Sequence, residues 1–333
     1  MAYRIERLDR GIKLRTDGIY CLISNREMLY LSGPRLIPVL LLLIVPLILE
    51  PYWRVVLLDC LNLALLTISW DFLANFIGLF SLGQAFFFAA GSYLLAVFNV
   101  YLGLPIALAM PAATICGAIV STILVIPTLR LRGIFFALSL FLIPLLSARV
   151  IEAFNILGGT EGIRGIAGLP NAWVEQYGMI IVLLITLFGA RRLVNTDYGM
   201  IFRAIRNDEQ VVKSIGINVP WKKIQAVFFA ALPCAFSGAW MCSIHTITGL
   251  QAFALDYTIL PIAACVVGGP GTLAGAAYGA FLLGLISNLL REFGGYRMVF
   301  FAVILLIFSV YWSEGIFTYL RRKYFQLERK VEL

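Results

Sequence analysis

The densest polar chemistry in this sequence lies between Arg191 and Lys223, where seven cations and three acids stand close together. Ile201, Phe202, Ile205, Val212 and Ile215 recur among them at helical spacing, so an apolar face can form with the charges elsewhere. Asn207 or Asp208 is placed to cap a short helix and Gly216 to end it. Such a helix needs something to bury its apolar face against, either a lipid headgroup layer or a soluble partner. Two glycine-rich segments are the next candidates. Gly78 to Ala85 sets Ser81 and Gln84 among glycines and large apolar residues. That mixture predicts broken backbone at membrane depth, which is tolerated only against protein or a water-lined cavity. It reads either as part of a solute path or as close helix packing through small residues. Gly158, Gly159, Thr160, Glu161 and Gly162 form a second polar turn, read either as a gate or receptor contact or as a plain loop turn.

Other chemistries are excluded. The lysine of a phosphate-binding G-x-x-x-x-G-K-[ST] loop is missing from both Gly158–Gly162 and Gly268–Gly271, so no ATP site is encoded. A single histidine, His245, cannot build a metal cluster, and no two of the six cysteines form a C-x-x-C pair. No cofactor is expected, and no catalytic constellation is present. Asp59 and Asp71 are the clearest acids inside an apolar run. A carboxylate there suggests function by default, but their positions near the two ends of the run read as interfacial.

The elements that position these residues follow from composition. The chain has 333 residues, 61% hydrophobic and 13% charged, with a mean hydropathy of +0.92. A soluble domain carries about 25% charged residues, so this chain lacks the polar surface to coat a globule in water. The expectation is an all-α polytopic membrane protein of about ten spans, with eight to ten admissible. The apolar runs are Leu36–Leu49, Val55–Ala74, Ala85–Val100, Pro105–Leu129, Gly133–Phe154, Met179–Ala190, Ile224–Ile247, Tyr257–Val267, Leu273–Leu290 and Met298–Trp312. Residues 1–35 then form an N-terminal tail, 36–313 the membrane domain with the polar loop 191–223, and 314–333 a C-terminal tail. Ten spans put both tails on one side with that loop. This side holds 21 of the 26 Lys and Arg residues, a strong positive-inside asymmetry that makes it the cytoplasm. The net charge of +8 is therefore read as topology, with no nucleic-acid partner. The stretches Gly83 to Gly91 and Gly271 to Gly279 share a glycine break followed by a glycine eight residues on. This is either an internal repeat or the ordinary small-residue bias of membrane helices.

Five elements in order carry a resemblance across about residues 70 to 290. They are Asn75 to Ala85 with Gly78-Leu79-Phe80-Ser81-Leu82-Gly83-Gln84, Leu129 to Gly133, Leu157 to Ile163, Gly199 to Ile217, and Val266 to Gly275. The set resembles the integral-membrane permease subunits of branched-chain amino-acid ABC importers, with urea and short-amide permeases as close relatives. Gln84 replaces the usual His of that pattern, and Asn75-Phe76 replaces Gly-Tyr. The resemblance implies an ABC-importer permease fold in the inner membrane, forming half of a translocation pathway. It implies as partners a second homologous permease, two cytosolic ATPases that hydrolyse the ATP, and an extracytoplasmic solute-binding protein. Arg203, Arg206, Asp208, Glu209 and Gly216 would then couple to an ATPase. Gly78, Ser81, Gly83, Gln84, Gly158, Gly159 and Thr160 would belong to the solute path. A stand-alone carrier or channel is the alternative from another class, and scarce intramembrane charge argues against it.

Overall fold

The computed structural model describes residues 3–9, 25–131, 133–290, 299, 303, 306 and 315–332. Among them seven helices are long and apolar enough to cross a membrane, and Leu36–Ile48 and Ala274–Leu289 are shorter apolar helices. The tenth expected span, Met298–Trp312, lies almost wholly outside the described residues, so the count of ten is not reached.

The chain begins with β1 (Tyr3–Asp9) and α1 (Asn25–Ile48). Helix α1 starts eleven residues before Leu36, inside the stretch expected as a polar tail. Helix α2 (Pro51–Asp71) runs without a break into a π-helical turn, Phe72–Ile77. Then come α3 (Gln84–Ala96) with a second π turn (Val97–Tyr101), α4 (Ile106–Val125), and α5 (Ile134–Phe154). Helix α6 (Ala172–Val194) opens seven residues before the expected Met179. Asn171 caps it by accepting from the Trp173 N–H, and Glu175 sits in its first turn, so polar residues read as loop are its start.

Two short helices follow, α7 (Asp197–Asn207) and α8 (Glu209–Ser214), and then α9 (Val219–His245), α10 (Asp256–Gly268), α11 (Ala274–Leu289) and α12 (Ile316–Phe325). Strand β2 (Ile163–Arg164) pairs antiparallel with β3 (Ile247–Thr248). Strand β4 (Gln326–Glu332) pairs antiparallel with β1, in a register that sets Glu6 opposite Arg329 and Arg7 opposite Glu328.

Helix α2 is the mast of the bundle. It packs on α6, α9, α10 and α11, and 89% of its apolar window is buried, against 22% for α6. A helix apolar all round belongs at such a centre. Close approach elsewhere depends on small residues. A Cβ on Gly284 of α11 would lie 2.7 Å from the Cys60 sulfur of α2. Helices α3, α4 and α9 meet in the same way at Gly91, Gly117 and Gly238.

Candidate functional site

The first glycine break folds back into the bundle. Gly78 ends the π turn in the left-handed region (φ +80°), which glycine adopts without cost. The chain then climbs beside α2 until the Trp70 indole N–H donates to the Ser81 carbonyl at 2.8 Å. The Ser81 hydroxyl accepts from the Gly83 N–H at 3.2 Å, and Gln84 starts α3 while the next N–H, of Ala85, donates to Thr258 Oγ1 of α10 at 3.2 Å. A Cβ on Gly83 would sit 3.0 Å from the Leu140 carbonyl of α5. Ser81, Gly83 and Gln84 are thus gathered between α2, α5 and α10, and Ser81 and Gln84 are fully buried. Cys234 of α9 donates its thiol to Gln84 Oε1, with the sulfur at 2.9 Å, and Gln84 Nε2 has no partner.

A lone buried N–H carries a desolvation penalty, so Gln84→Leu is expected to keep the stability of the extracted protein within about 1 kcal/mol of the parent. Altered uptake selectivity at unchanged stability would assign Gln84 to the solute path. Unchanged kinetics for every solute would assign it to packing.

The second break, between α10 and α11, is held by Asp71. This carboxylate is fully buried inside the bundle. Its Oδ1 accepts from the Gly271 N–H at 2.7 Å and from Asn75 Nδ2 at 2.7 Å, with the Cys265 thiol at 3.3 Å. Its Oδ2 accepts from the Leu273 N–H at 2.8 Å. Leu273 has φ +49°, a conformation costly for a branched side chain, and the hydrogen bond to Asp71 holds it there. The sequence marks Asp71 as an acid in an apolar run without showing what it holds. The missed signal was that exposed backbone N–H groups in a Gly-Gly-Pro-Gly turn need a buried acceptor.

Helices α7 and α8 form a third layer on this site. Helix α7 lays Phe202 and Ile205 against the π turn of α2, with the Phe202 ring edge-on to Phe72 at 5.8 Å. Arg203 stacks over Phe76 at 5.9 Å and donates to the Val194 carbonyl at 3.2 Å. Arg206 donates through Nη1 to the Asn75 carbonyl, and its side chain crosses Gly78, where a Cβ would lie 3.1 Å from Arg206 Cγ.

Asp208 caps α8, accepting from the N–H groups of Gln210 (2.8 Å) and Val211 (3.4 Å). Gly216, exposed and at φ +84°, follows the end of α8 as its spacing predicts. Glu209 points inward to its own chain, with Lys223 at 2.9 Å and Lys213 at 3.0 Å. The outward faces of the pair carry Tyr198, Met200, Val211 and Ile215, all exposed, and Trp221 beside them.

Burial alone raises the Glu209 carboxyl, but the two ammonium groups outweigh it and hold it below the usual carboxylate range. A lowered folded value stabilises α8 at every pH above the unfolded value, and this is lost as pH falls through the folded one. The protection factors of the α8 amides, which remove the intrinsic pH dependence of exchange, should therefore stay constant from neutral pH down to about pH 4.3, the ordinary Glu value, and fall only below it. A fall that begins near neutral pH would mean that another contact holds α8.

Gly158, Gly159 and Thr160 are not brought to this site. They lie further along α3 and α9, in the turn pressed onto Thr248, whose hydroxyl meets that of Ser92 at 2.5 Å, eight residues or roughly 12 Å of helix rise beyond Gln84. There Gly158 (φ +83°) and Gly159 (φ +53°) form a tight turn in which the Gly159 N–H donates to the Ile156 carbonyl. A Cβ on Gly162 would collide with the Thr248 carbonyl, so this turn is pressed onto β3. Among the described residues no three His, Cys, Asp or Glu side chains stand close enough to hold a metal ion.

Comparison with known proteins agrees with this architecture. Residues 55–309, more than half of the chain, match the family described as branched-chain amino acid transport system / permease component. The chain is 24% identical over 270 residues to the high-affinity branched-chain amino acid transport system permease protein LivM of Escherichia coli (strain K12), covering 72% of this chain and 64% of that protein. The same name and the same values hold for a Salmonella typhimurium protein. A probable branched-chain amino acid transport permease protein LivM of Methanocaldococcus jannaschii is 26% identical over 192 residues, 55% of each chain. The chain thus spans less than two thirds of the length of these relatives. No solved structure matches it.

Proposed function

Because the chain belongs to the branched-chain amino acid transport system permease family, we propose that it forms half of the translocation pathway of an ATP-driven importer of branched-chain amino acids. The family and the apolar helices make it a multi-pass membrane protein and a transport subunit. The rest is our reading. A second homologous permease completes the pore, two cytosolic ATPases supply the energy, and an external solute-binding protein delivers the solute at the end that holds Gly158–Thr160.

The observation that carries the reading is the inner helix pair. Phe202, Ile205 and Val212 are buried while Tyr198, Met200, Val211 and Ile215 are exposed. An apolar surface on short helices between two spans fits a groove on a soluble partner. Closing of the ATPase dimer on ATP would then move α7 and α8 and switch the pore between outward and inward access.

Residues 1–35 and 314–333 are placed in the cytoplasm with loop 191–223, and the membrane domain is 36–313. Two observations support that placement. With ten spans, 21 of the 26 Lys and Arg residues fall on the side of loop 191–223, and β1 can pair with β4 only when both ends of the chain lie on the same face, which requires an even number of crossings.

The test is reconstitution into proteoliposomes with the co-purifying permease and ATPases and the external binding protein. ATP-dependent leucine uptake that needs every subunit is the expected result. Equal, ATP-independent flux through this chain alone would overturn the proposal in favour of a stand-alone carrier.

A further inference from the structure

The two glycine breaks are held by consecutive residues of one helix. Trp70 takes the first, through its indole N–H and the Ser81 carbonyl. Asp71 takes the second, through the N–H groups of Gly271 and Leu273. One turn further on, Asn75 joins this pair to the inner helices. Its amide donates to Asp71, and its carbonyl accepts from Arg206 of α7. We propose that the inner end of α2, from Trp70 to Gly78, is the element through which α7 moves both breaks together, with Trp70 and Asp71 as the positioning residues of the first and the second break. The inference rests on the proposed importer function and deepens it.

Four arguments support it. First, the links inside the bundle are buried: Trp70, Asp71 and Ser81 are within 3% of full burial, and α7, whose Arg206 reaches the Asn75 carbonyl at the surface, is seated through Phe202 on Phe72 of the same turn. A contiguous run of packed groups and hydrogen bonds is the physical requirement for coupling between distant elements.

Second, the segment is wound as a π helix, from Phe72 to Ile77. A π turn is a strained insertion in an α-helix and occurs mostly at functional sites.

Third, both breaks immediately precede a helix, α3 from Gln84 and α11 from Ala274, that starts inside the bundle. Shifting either break therefore moves the whole helix behind it. Gln84 rides on the first of these.

Fourth, the hydrogen-bond choice is specific. The Asp71 carboxylate faces four donors and no acceptor, so its replacement by an amide turns one hydrogen bond into a donor–donor clash.

The two holds are separate, and that makes the inference testable. Phe80, at 47% exposure, reports on the first break, and Thr272 reports on the second. Phe80→Cys and Thr272→Cys are introduced singly, and maleimide labelling of each site is followed by mass spectrometry in the reconstituted complex. Labelling is compared without nucleotide and with the ATPases trapped closed. In the parent background, trapping should change labelling at both sites by roughly tenfold, within the ordinary range of coupling energies. Trp70→Phe should remove the response at Phe80→Cys and keep it at Thr272→Cys. Asp71→Asn should do the reverse, and Asn75→Ala, a milder change, should weaken the response at Thr272→Cys.

Loss of both responses in either single variant, or of neither, overturns the inference, since a general loss of structure affects both sites and an idle contact affects none. Absence of ATP-dependent uptake in the parent complex is a different failure, that of the importer reading itself.

Discussion

Phe202→Ala is expected to abolish ATP-driven uptake while leaving the protein in the membrane at its normal level. Phe202 is fully buried, although it lies in a segment that is otherwise mostly exposed. Its ring packs edge-on against Phe72, which gains about 0.5–1.5 kcal/mol beyond burial. Truncating a buried Phe to Ala costs about 3–5 kcal/mol. Helix α7 has few other holds on the body, chiefly Ile205, the Arg203 stack and the Arg206 hydrogen bond. At about 1.4 kcal/mol per tenfold change, the docked state of α7 should fall in population by roughly a hundredfold or more.

The spans keep their packing, because α7 lies outside them. The measurements are membrane content by immunoblot, ATP-driven uptake and ATP hydrolysis in the reconstituted complex. Uptake should be lost with hydrolysis retained or no longer stimulated by solute. Asn207→Ala is the control on the same helix: Asn207 is exposed and belongs neither to the seat on α2 nor to the outward apolar face, so uptake should be kept. Full uptake by Phe202→Ala would mean that α7 transmits nothing.

The class of the protein and the positions of its breaks were readable in the sequence because both depend on local signals. Long apolar runs have one solution in lipid, and glycines with positive φ mark where helices stop. The Asp208 cap and Gly216 stop of α8 were readable for the same reason. What escaped were the pairings between distant segments. Asp71 and Gly271 are 200 residues apart, and no local pattern shows that a carboxylate in one helix satisfies a turn in another. Asn75 stood out only as a departure from a family pattern, yet its amide and carbonyl join two elements. The ion pairs of Glu209, expected to couple to an ATPase, with Lys213 and Lys223 of its own chain were likewise not visible locally. The likeness of Gly83–Gly91 to Gly271–Gly279 gains a physical content: both breaks dock on neighbouring residues of α2, and both later glycines are sites of backbone contact.

Gly238→Val is expected to have the opposite signature, destroying fold and uptake together. A Cβ at Gly238 of α9 would collide with the Phe88 carbonyl of α3, and one at Gly91 of α3 would collide with the Ala235 carbonyl of α9. At Gly117 of α4, a Cβ would lie 3.1 Å from Ala235 Cβ and 3.2 Å from Gly91 Cα. Three helices therefore touch backbone to backbone, and the obstruction is the Cβ itself, so no rotamer relieves it. Overpacking a core costs about 1–3 kcal/mol when side chains can yield; here helix axes must separate, which also opens the seam that holds Cys234 against Gln84. The expected result is a fall in monodisperse extracted protein and a lower unfolding temperature, with uptake lost in proportion. Gly189→Ala, in α6 where an added Cβ meets nothing within 4 Å, should lower neither. A Gly238→Val protein with normal yield and normal uptake would show that α3 and α9 separate freely, and the rigid seam that gives α3 a fixed wall to move against would then not exist.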